Sequence, residues 1–252
     1  FHLWTADVYE GSPIAITAYL SVISKGAISF VFLTALYSMF APMAHTWYLI
    51  ISILAIATLF VGNLFAIRQD NIKRFLAFSS IAQVGFILVG ITSNSPMGTS
   101  SVIYFILIYL FSNLGAFGVI ALVSQKTGKE RISDYRGFYK NNRLLAWVLT
   151  ISLFSLAGIP PTAGFFGKFF LLLAGANSGN YFLISMAAIN MIISLYYYLR
   201  IVRAIFMDTE ADGMEKVETG LIPGFGMAIC LAGIILSGLL GGCYTYISSI
   251  AG

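Results

Sequence analysis

The chain has 252 residues, of which 59% are hydrophobic and only 10% charged, against about 25% charged in a soluble domain. A water-soluble globular fold is excluded, because mostly apolar stretches long enough to cross a hydrocarbon core of about 30 Å recur along the whole length. The net charge of +4 suits nucleic acid or acidic lipid in principle, and its placement along the chain decides between them.

Apolar runs between polar breaks predict an all-α, polytopic membrane protein with seven spans, at 13–40, 47–68, 71–92, 98–124, 144–175, 181–207 and 221–249. The opening FHLWTADVYEGS is too short to cross. It begins at Phe, with no charged n-region before a cleavage site, which reads as a fragment, a processed product or half of a split protein. His2, Asp7 and Glu10 within it could hold a metal, but a solvated, amphipathic connector is the better reading. His45 lies in a short outer loop and reads as exposed.

Lys25 sits near the middle of the first span, with Thr17, Ser21 and Ser24 at or close to helical spacings from it. Each hydroxyl alone would bond back to its own helix; beside a lysine, the group leans toward a path for water. The third span places Ser79, Ser80 and Gln83 at mid-depth, and the fourth places Tyr104, Tyr109, Ser112 and Asn113 there. Gln and Asn carry hydrogen-bonded water without titrating readily, so these residues are either packing glue or supports of a water wire.

The fifth span is long and interrupted at GIPPTAG. Pro160 and Pro161 each lack an amide hydrogen and clash with the carbonyl four residues back, which frees the carbonyls of Leu156 and Ala157. Free carbonyls persist in a membrane only inside protein or beside water, so the break predicts a discontinuous helix and a small wet cavity. Lys168 follows two turns later. A lysine at the centre of a span costs about 2.5–3.5 kcal/mol, and no Asp or Glu lies within any span to offset it. The pattern favours a proton relay through Lys168 and Lys25 over structural pairing. Cys230 and Cys243, with no ligand spacing, read as packing residues. Gly115 with Gly118, Gly220 with Gly224, and the SGLLGG run read as close-packing surfaces.

Fourteen Lys and Arg residues test the topology. The connections at 41–46, 93–97 and 176–180 contain none, while twelve, from Arg68 to Lys216, fall on the opposite side. Cytoplasmic or matrix loops collect such residues, so the charged side is placed inside and the C-terminus outside. No basic stripe remains for nucleic acid.

FHLWTADVYEGSP...SK, NIKRFLAFSSIAQVGF, SLAGIPPTAGFFGKFF and LYYYLR resemble, in order and spacing, the antiporter-like membrane subunits of respiratory complex I, in the form called subunit N (subunit 2 in mitochondria). The resemblance implies a proton-pumping subunit with two inverted five-helix repeats, each with one broken helix, of which this chain matches helices 8 to 14. Residues 1–12 then form an inner-side connector after a broken helix and 13–46 the last helix of the first repeat. Residues 47–207 form the second repeat with its broken helix at 144–175, and 208–252 a C-terminal transmembrane helix. Lys25 and Lys168 match the family's lysines on helices 8 and 12. Ala6 stands where proline is usual, and Gln83 where histidine is common, which makes water the carrier between the lysines.

The implied assembly is an NADH:quinone oxidoreductase in which NADH, FMN, iron–sulfur clusters and quinone belong to other subunits, this chain holding no cofactor and no metal. Partners are the other membrane-arm subunits, including neighbouring antiporter-like ones, a separate chain with the N-terminal half, and membrane lipids. A mitochondrial inner membrane is the expected location, a bacterial plasma membrane the alternative. A stand-alone cation/proton antiporter, a membrane-bound hydrogenase subunit or a transport-dead anchor are the competing readings.

Overall fold

The computed structural model describes residues 2–207 and 214–251, the side chains of His2 and Ala251 excepted. Ten principal helices, numbered here in chain order, carry the fold of the described residues. Helix α1 (His2–Gly11) stops before Pro13, and α2 (Ile14–Met39) starts after it. A 3-10 turn, Ala41–Met43, leads into α3 (Ala44–Ile67). Asn71 caps α4 (Ile72–Thr92), its side-chain oxygen accepting from the amides of Lys73 and Arg74. Ser95 caps α5 (Pro96–Thr127), which ends at Gly128 in the left-handed region. Then come α6 (Arg143–Ala157), α7 (Ala163–Asn177), α8 (Tyr181–Phe206), α9 (Leu221–Leu239) and α10 (Gly242–Ala251).

Six of these helical runs, α2, α3 with its leading turn, α4, α5, α8 and α9, are long and apolar enough to cross a membrane. Helices α6 and α7 have 15 residues each, about 22 Å, too short to cross alone. Together they make the interrupted fifth span, so the seven-span reading and the all-α class hold.

Three details depart from the sequence reading. The N-terminal segment is not an open connector: α1 packs on α4 and buries Ala6 and Tyr9, while Arg74 of α4 holds Asp7 and Glu10 and Leu3 and Trp4 stay exposed. The seventh span is not one helix. The chain breaks at Leu240, and α10 packs on α5, where Tyr244 stacks on Phe170 at 3.9 Å and meets Tyr104 edge-on at 5.5 Å; the Gly241–Gly242 pair is a poor helix former, and the aromatic burial rewards the break. Of the paired glycines, Gly115 does lie tight on Ser152, but Gly224 faces open space.

Helix α4 is the hub, touching α1, α3, α5, α7 and α8. At its head the charged connections fasten to one another. Lys73 pairs with Glu130 at 2.9 Å, and Arg74 reaches both Asp7 and Glu10 at 2.7 Å. Arg200 donates to the carbonyls of Ile67 and Gln69. Asn142 receives the amide of Val217 and donates to the carbonyl of Glu215. The side read as inner from charge placement is therefore one continuous surface.

Candidate functional site

The break between α6 and α7 is built by local chemistry. Gly158 caps α6 at φ +85°, and a Cβ there would sit 3.1 Å from Lys168 Cδ, so only glycine suits both the backbone and the lysine stem. Its amide and that of Ile159 both return to the carbonyl of Phe154, and Thr162 Oγ1 donates to the carbonyl of Ile159 at 2.6 Å. These bonds leave the carbonyls of Leu156 and Ala157 without helical donors, as the prolines require.

Lys168 takes them. Its side chain, 1% exposed, sends Nζ to Leu156 O at 2.8 Å and Ala157 O at 3.2 Å. The amine also stands 4.7 Å from the ring centroid of Phe86. At the break the two freed carbonyls are held by direct amine–carbonyl contact. Carbonyl oxygens only accept, and two of them satisfy both N–H groups of a neutral amine while leaving its lone pair open to a proton. Among the described residues no carboxylate is paired with it.

Lys25 occupies a different setting. It follows a π-helical stretch, Leu20–Ser24, inside α2, a distortion that concentrates at functional sites. Its Nζ donates to Ser80 Oγ and stands 5.4 Å from the ring centroid of Tyr9. The side chain is half-buried and lines a cleft of about 380 Å³ with Thr58 and Val61 of α3 and Ile81 and Val84 of α4. The hydroxyls proposed as its polar stripe do not reach it: Thr17 bonds to the carbonyls of Tyr9 and Pro13, and Ser21 to that of Ala18.

Helix α4 connects the two amines. Ser80 accepts from Lys25 and donates to its own helix at Ala77. One turn on, Gln83 Nε2 donates to Leu156 O at 3.0 Å, the oxygen that Lys168 also bonds, and to Tyr198 OH at 3.2 Å. Ser79 hydrogen-bonds that same phenol. Beside Ser80 and on Gln83 itself lie three buried polar atoms with no partner of good hydrogen-bond geometry: Tyr9 OH, Tyr109 OH and Gln83 Oε1. Buried polar atoms without partners are rare in folded proteins, and such a group can hold ordered water.

Tyr104 is not brought into this chain of contacts, while Asn113 meets it at Tyr109. Tyr104 donates to the carbonyl of Ser237 on α9 at 2.7 Å. Asn113 is buried on α5 on the Tyr109 side, and its neighbour Ser112 bonds Ser155 at 2.7 Å. Tyr9 and Tyr198 are site residues that sequence reasoning missed; the signal for Tyr198 was the unusual run of three tyrosines inside an apolar span. Asp7 and Glu10 are engaged with Arg74, and the His2 side chain lies outside the described residues.

The fold and site define a class: a polytopic helical membrane protein with one broken crossing, whose exposed carbonyls are held by a buried lysine. The chain belongs to the NADH:quinone oxidoreductase/Mrp antiporter transmembrane family, whose model matches residues 1–194. It is 47% identical over its full length to NADH-quinone oxidoreductase subunit N of Phocaeicola vulgatus, of which it covers 53%. It is 46% identical over 86% of its length to NAD(P)H-quinone oxidoreductase subunit 2 of Gloeothece citriformis, covering 42% of that protein. The chain spans about half the length of these curated relatives.

Among solved structures, a chain of respiratory complex I from Thermus thermophilus superposes with a TM-score of 0.81 at 26% identity, over 96% of this chain and 53% of that one. A chain of the membrane-bound sulfane sulfur reductase, an archaeal respiratory membrane complex, superposes at 0.88 with 24% identity, over 99% and 51%, and shows the shared fold. The resemblance read from the motifs is confirmed.

Proposed function

We propose that this chain is the C-terminal, proton-translocating half of subunit N in a bacterial NADH:quinone oxidoreductase. The observation that carries the reading is the Lys168 amine, buried among helices, bonded only to the two carbonyls at the helix break, and joined through Leu156 O and Gln83 to the helix that also holds Lys25. An amine held this way can gain or lose a proton without breaking its two bonds. Water at Tyr9, Tyr109 and Gln83 carries protons between the amines, since neither Gln83 nor Ser80 titrates readily. The broken helix lets the charge on Lys168 respond to its surroundings, because backbone dipoles at the break face the amine.

The reading includes the wider assembly. On this reading the chain sits in a membrane arm beside other antiporter-like subunits, with NADH, FMN, iron–sulfur and quinone chemistry on other chains, and its similarity to subunit N supports this. The relatives are bacterial and cyanobacterial, which favours a bacterial plasma membrane over the mitochondrial location expected from sequence. Identity of 46–47% to quinone oxidoreductase subunits favours this assembly over a stand-alone antiporter.

Replacing Lys168 by Ala in an assembled complex tests the proposal. Proton output per NADH oxidised is expected to fall while the complex remains intact. Unchanged proton output in an assembled Lys168→Ala complex refutes it, and copurification without NADH-oxidising subunits refutes the assembly.

A further inference from the structure

A protonated lysine carries three N–H groups, and the sealed site offers Lys168 two oxygens, Leu156 O at 2.8 Å and Ala157 O at 3.2 Å. Its third neighbour is an aromatic face. Nζ stands over the ring of Phe86, 4.7 Å from the centroid. Phe86 is fully buried on α4, three residues beyond Gln83, whose amide donates to the same Leu156 O. One stretch of α4 therefore serves both the freed carbonyl and the amine.

Among the described residues no charged group is bonded to this amine. Helix α7 packs against α4, α5, α6, α8 and α9. Their charged residues, Lys73, Arg74, Lys126, Arg143, Arg200 and Arg203, lie within two turns of helix ends beside the charged connections. Residues 75–92 of α4, residues 144–157 of α6 and the rest of α7 contain no titratable side chain. Of the titratable groups nearer the amine, α5 buries Tyr104 and Tyr109, α8 buries Tyr197 and Tyr198, α9 buries Cys230, and α10 lays Tyr244 on Phe170. None of these bonds Nζ. Tyr198 reaches it at one remove, through Gln83 and Leu156 O.

The carbonyls accept N–H bonds from an amine and an ammonium alike. The ring is selective: its quadrupole attracts a cation over its face, more strongly where water is excluded, and has no comparable hold on a neutral amine. A leucine in place of Phe86 would fill the core but leave the third N–H facing hydrocarbon.

We propose that Phe86 is a positioning residue for proton transfer at Lys168, its ring face receiving the third N–H of the ammonium and so setting how firmly the sealed lysine holds its proton. The proposal rests on the relay reading and deepens it. Lys25 is held differently, by the Ser80 hydroxyl and with the Tyr9 ring farther off at 5.4 Å.

The test replaces Phe86 in the full chain by mono-, di- and trifluorophenylalanine, which drain charge from the ring face with little change of shape. Lysine side chains are labelled with nitrogen-15, the chain is held in phosphatidylcholine nanodiscs, and the Lys168 signal, identified by its loss in Lys168→Ala, reports amine against ammonium as pH is varied. The proton affinity of Lys168 is expected to fall stepwise with each fluorine, by about three- to thirtyfold for the trifluorinated ring, and by a similar factor in Phe86→Leu. An affinity unchanged through the fluorine series overturns the proposal, as does a Lys168 signal that keeps one form over the whole pH range in which the chain stays folded. A change in Phe86→Leu without one in the fluorine series means that the ring acts by packing, and overturns it too. The relay reading fails separately, on unchanged proton output from an assembled Lys168→Ala complex, so the two failures are distinguishable.

Discussion

Lys168 and Lys25 are the same side chain placed in two different surroundings within one bundle. Lys168 is sealed, its amine matched to two carbonyls that a broken helix exposes and its stem passing over a glycine. Lys25 is half open, with a serine on a neighbouring helix as its hydrogen-bond partner and a cleft beside it. The sealed lysine depends on backbone architecture, which a side-chain change elsewhere cannot supply. The open one depends on α1 and α4 being held in place, and on whatever covers the cleft. A relay needs both kinds of site, one that retains a proton against leakage and one that exchanges it.

The largest expected effect comes from breaking the architecture of the sealed site. A Cβ on Gly164 would lie 1.7 Å from Ser155 O and 2.6 Å from Ser155 C, both backbone atoms. Gly164→Ala should therefore force the two half-helices apart and abolish the monodisperse folded fraction seen by size-exclusion chromatography. At the open site, Gly26→Ala meets only the side-chain Cγ2 of Ile106 at 3.2 Å, and should leave that fraction in place. Equal losses from the two would remove the distinction drawn between the lysines.

A smaller contrast is one of access. With the chain in detergent, an amine-reactive reagent followed by peptide mass spectrometry should modify Lys25 well before Lys168, which is 1% exposed. Matching rates would mean that the break opens readily.

The connecting helix should show graded effects. Gln83→Leu deletes donors to Leu156 O and Tyr198 and should lower thermal stability by about 1–3 kcal/mol, because buried partners are left unpaired. Ser80→Ala deletes one bond to Lys25, whose amine can still turn toward the cleft, and should cost about 1 kcal/mol. Thermal unfolding in a fixed detergent measures both, and a reversed order would contradict the assignment of Gln83 to the sealed side.

The smallest effect lies at the head of α4. Burial pushes the Glu130 carboxyl up, but hydrogen bonds from Lys73 and Ser124 and the charge of Lys73 outweigh it and hold it below its ordinary value of 4.5. A carboxyl lowered in the folded state adds stability that is present above its ordinary range and lost as pH falls through the folded value. The pair is partly exposed, 7% and 27% for its two side chains, so the contribution is at most about 1 kcal/mol. Glu130→Gln should flatten the stability profile in the acid range, lowering stability near neutrality by that amount and leaving it unchanged at low pH, which thermal unfolding across pH measures.

Much of this was legible from residue order. The apolar runs, the one-sided distribution of Lys and Arg, the proline pair and the intramembrane lysines are local patterns, and local patterns survive without knowledge of neighbours. The pairing of Lys168 with Leu156 and Ala157 was half legible: the prolines identified which carbonyls would be free, but not what would occupy them. Tyr9 was hidden inside a segment too short to span and read as solvated, and nothing in its periodicity announced the helix that presents its ring to Lys25.

Sequence alone determined that the chain lives in a membrane, how many times it crosses, which side carries its charge and where one crossing must break, because each follows from the cost of placing polar groups in hydrocarbon. Tertiary structure alone decided that α4 is the hub linking two amines, that α1 packs on it and that the last apolar run breaks and lays its end on α5. Those outcomes depend on which faces meet across tens or hundreds of residues, and shape complementarity between distant helices leaves no periodic mark in the chain.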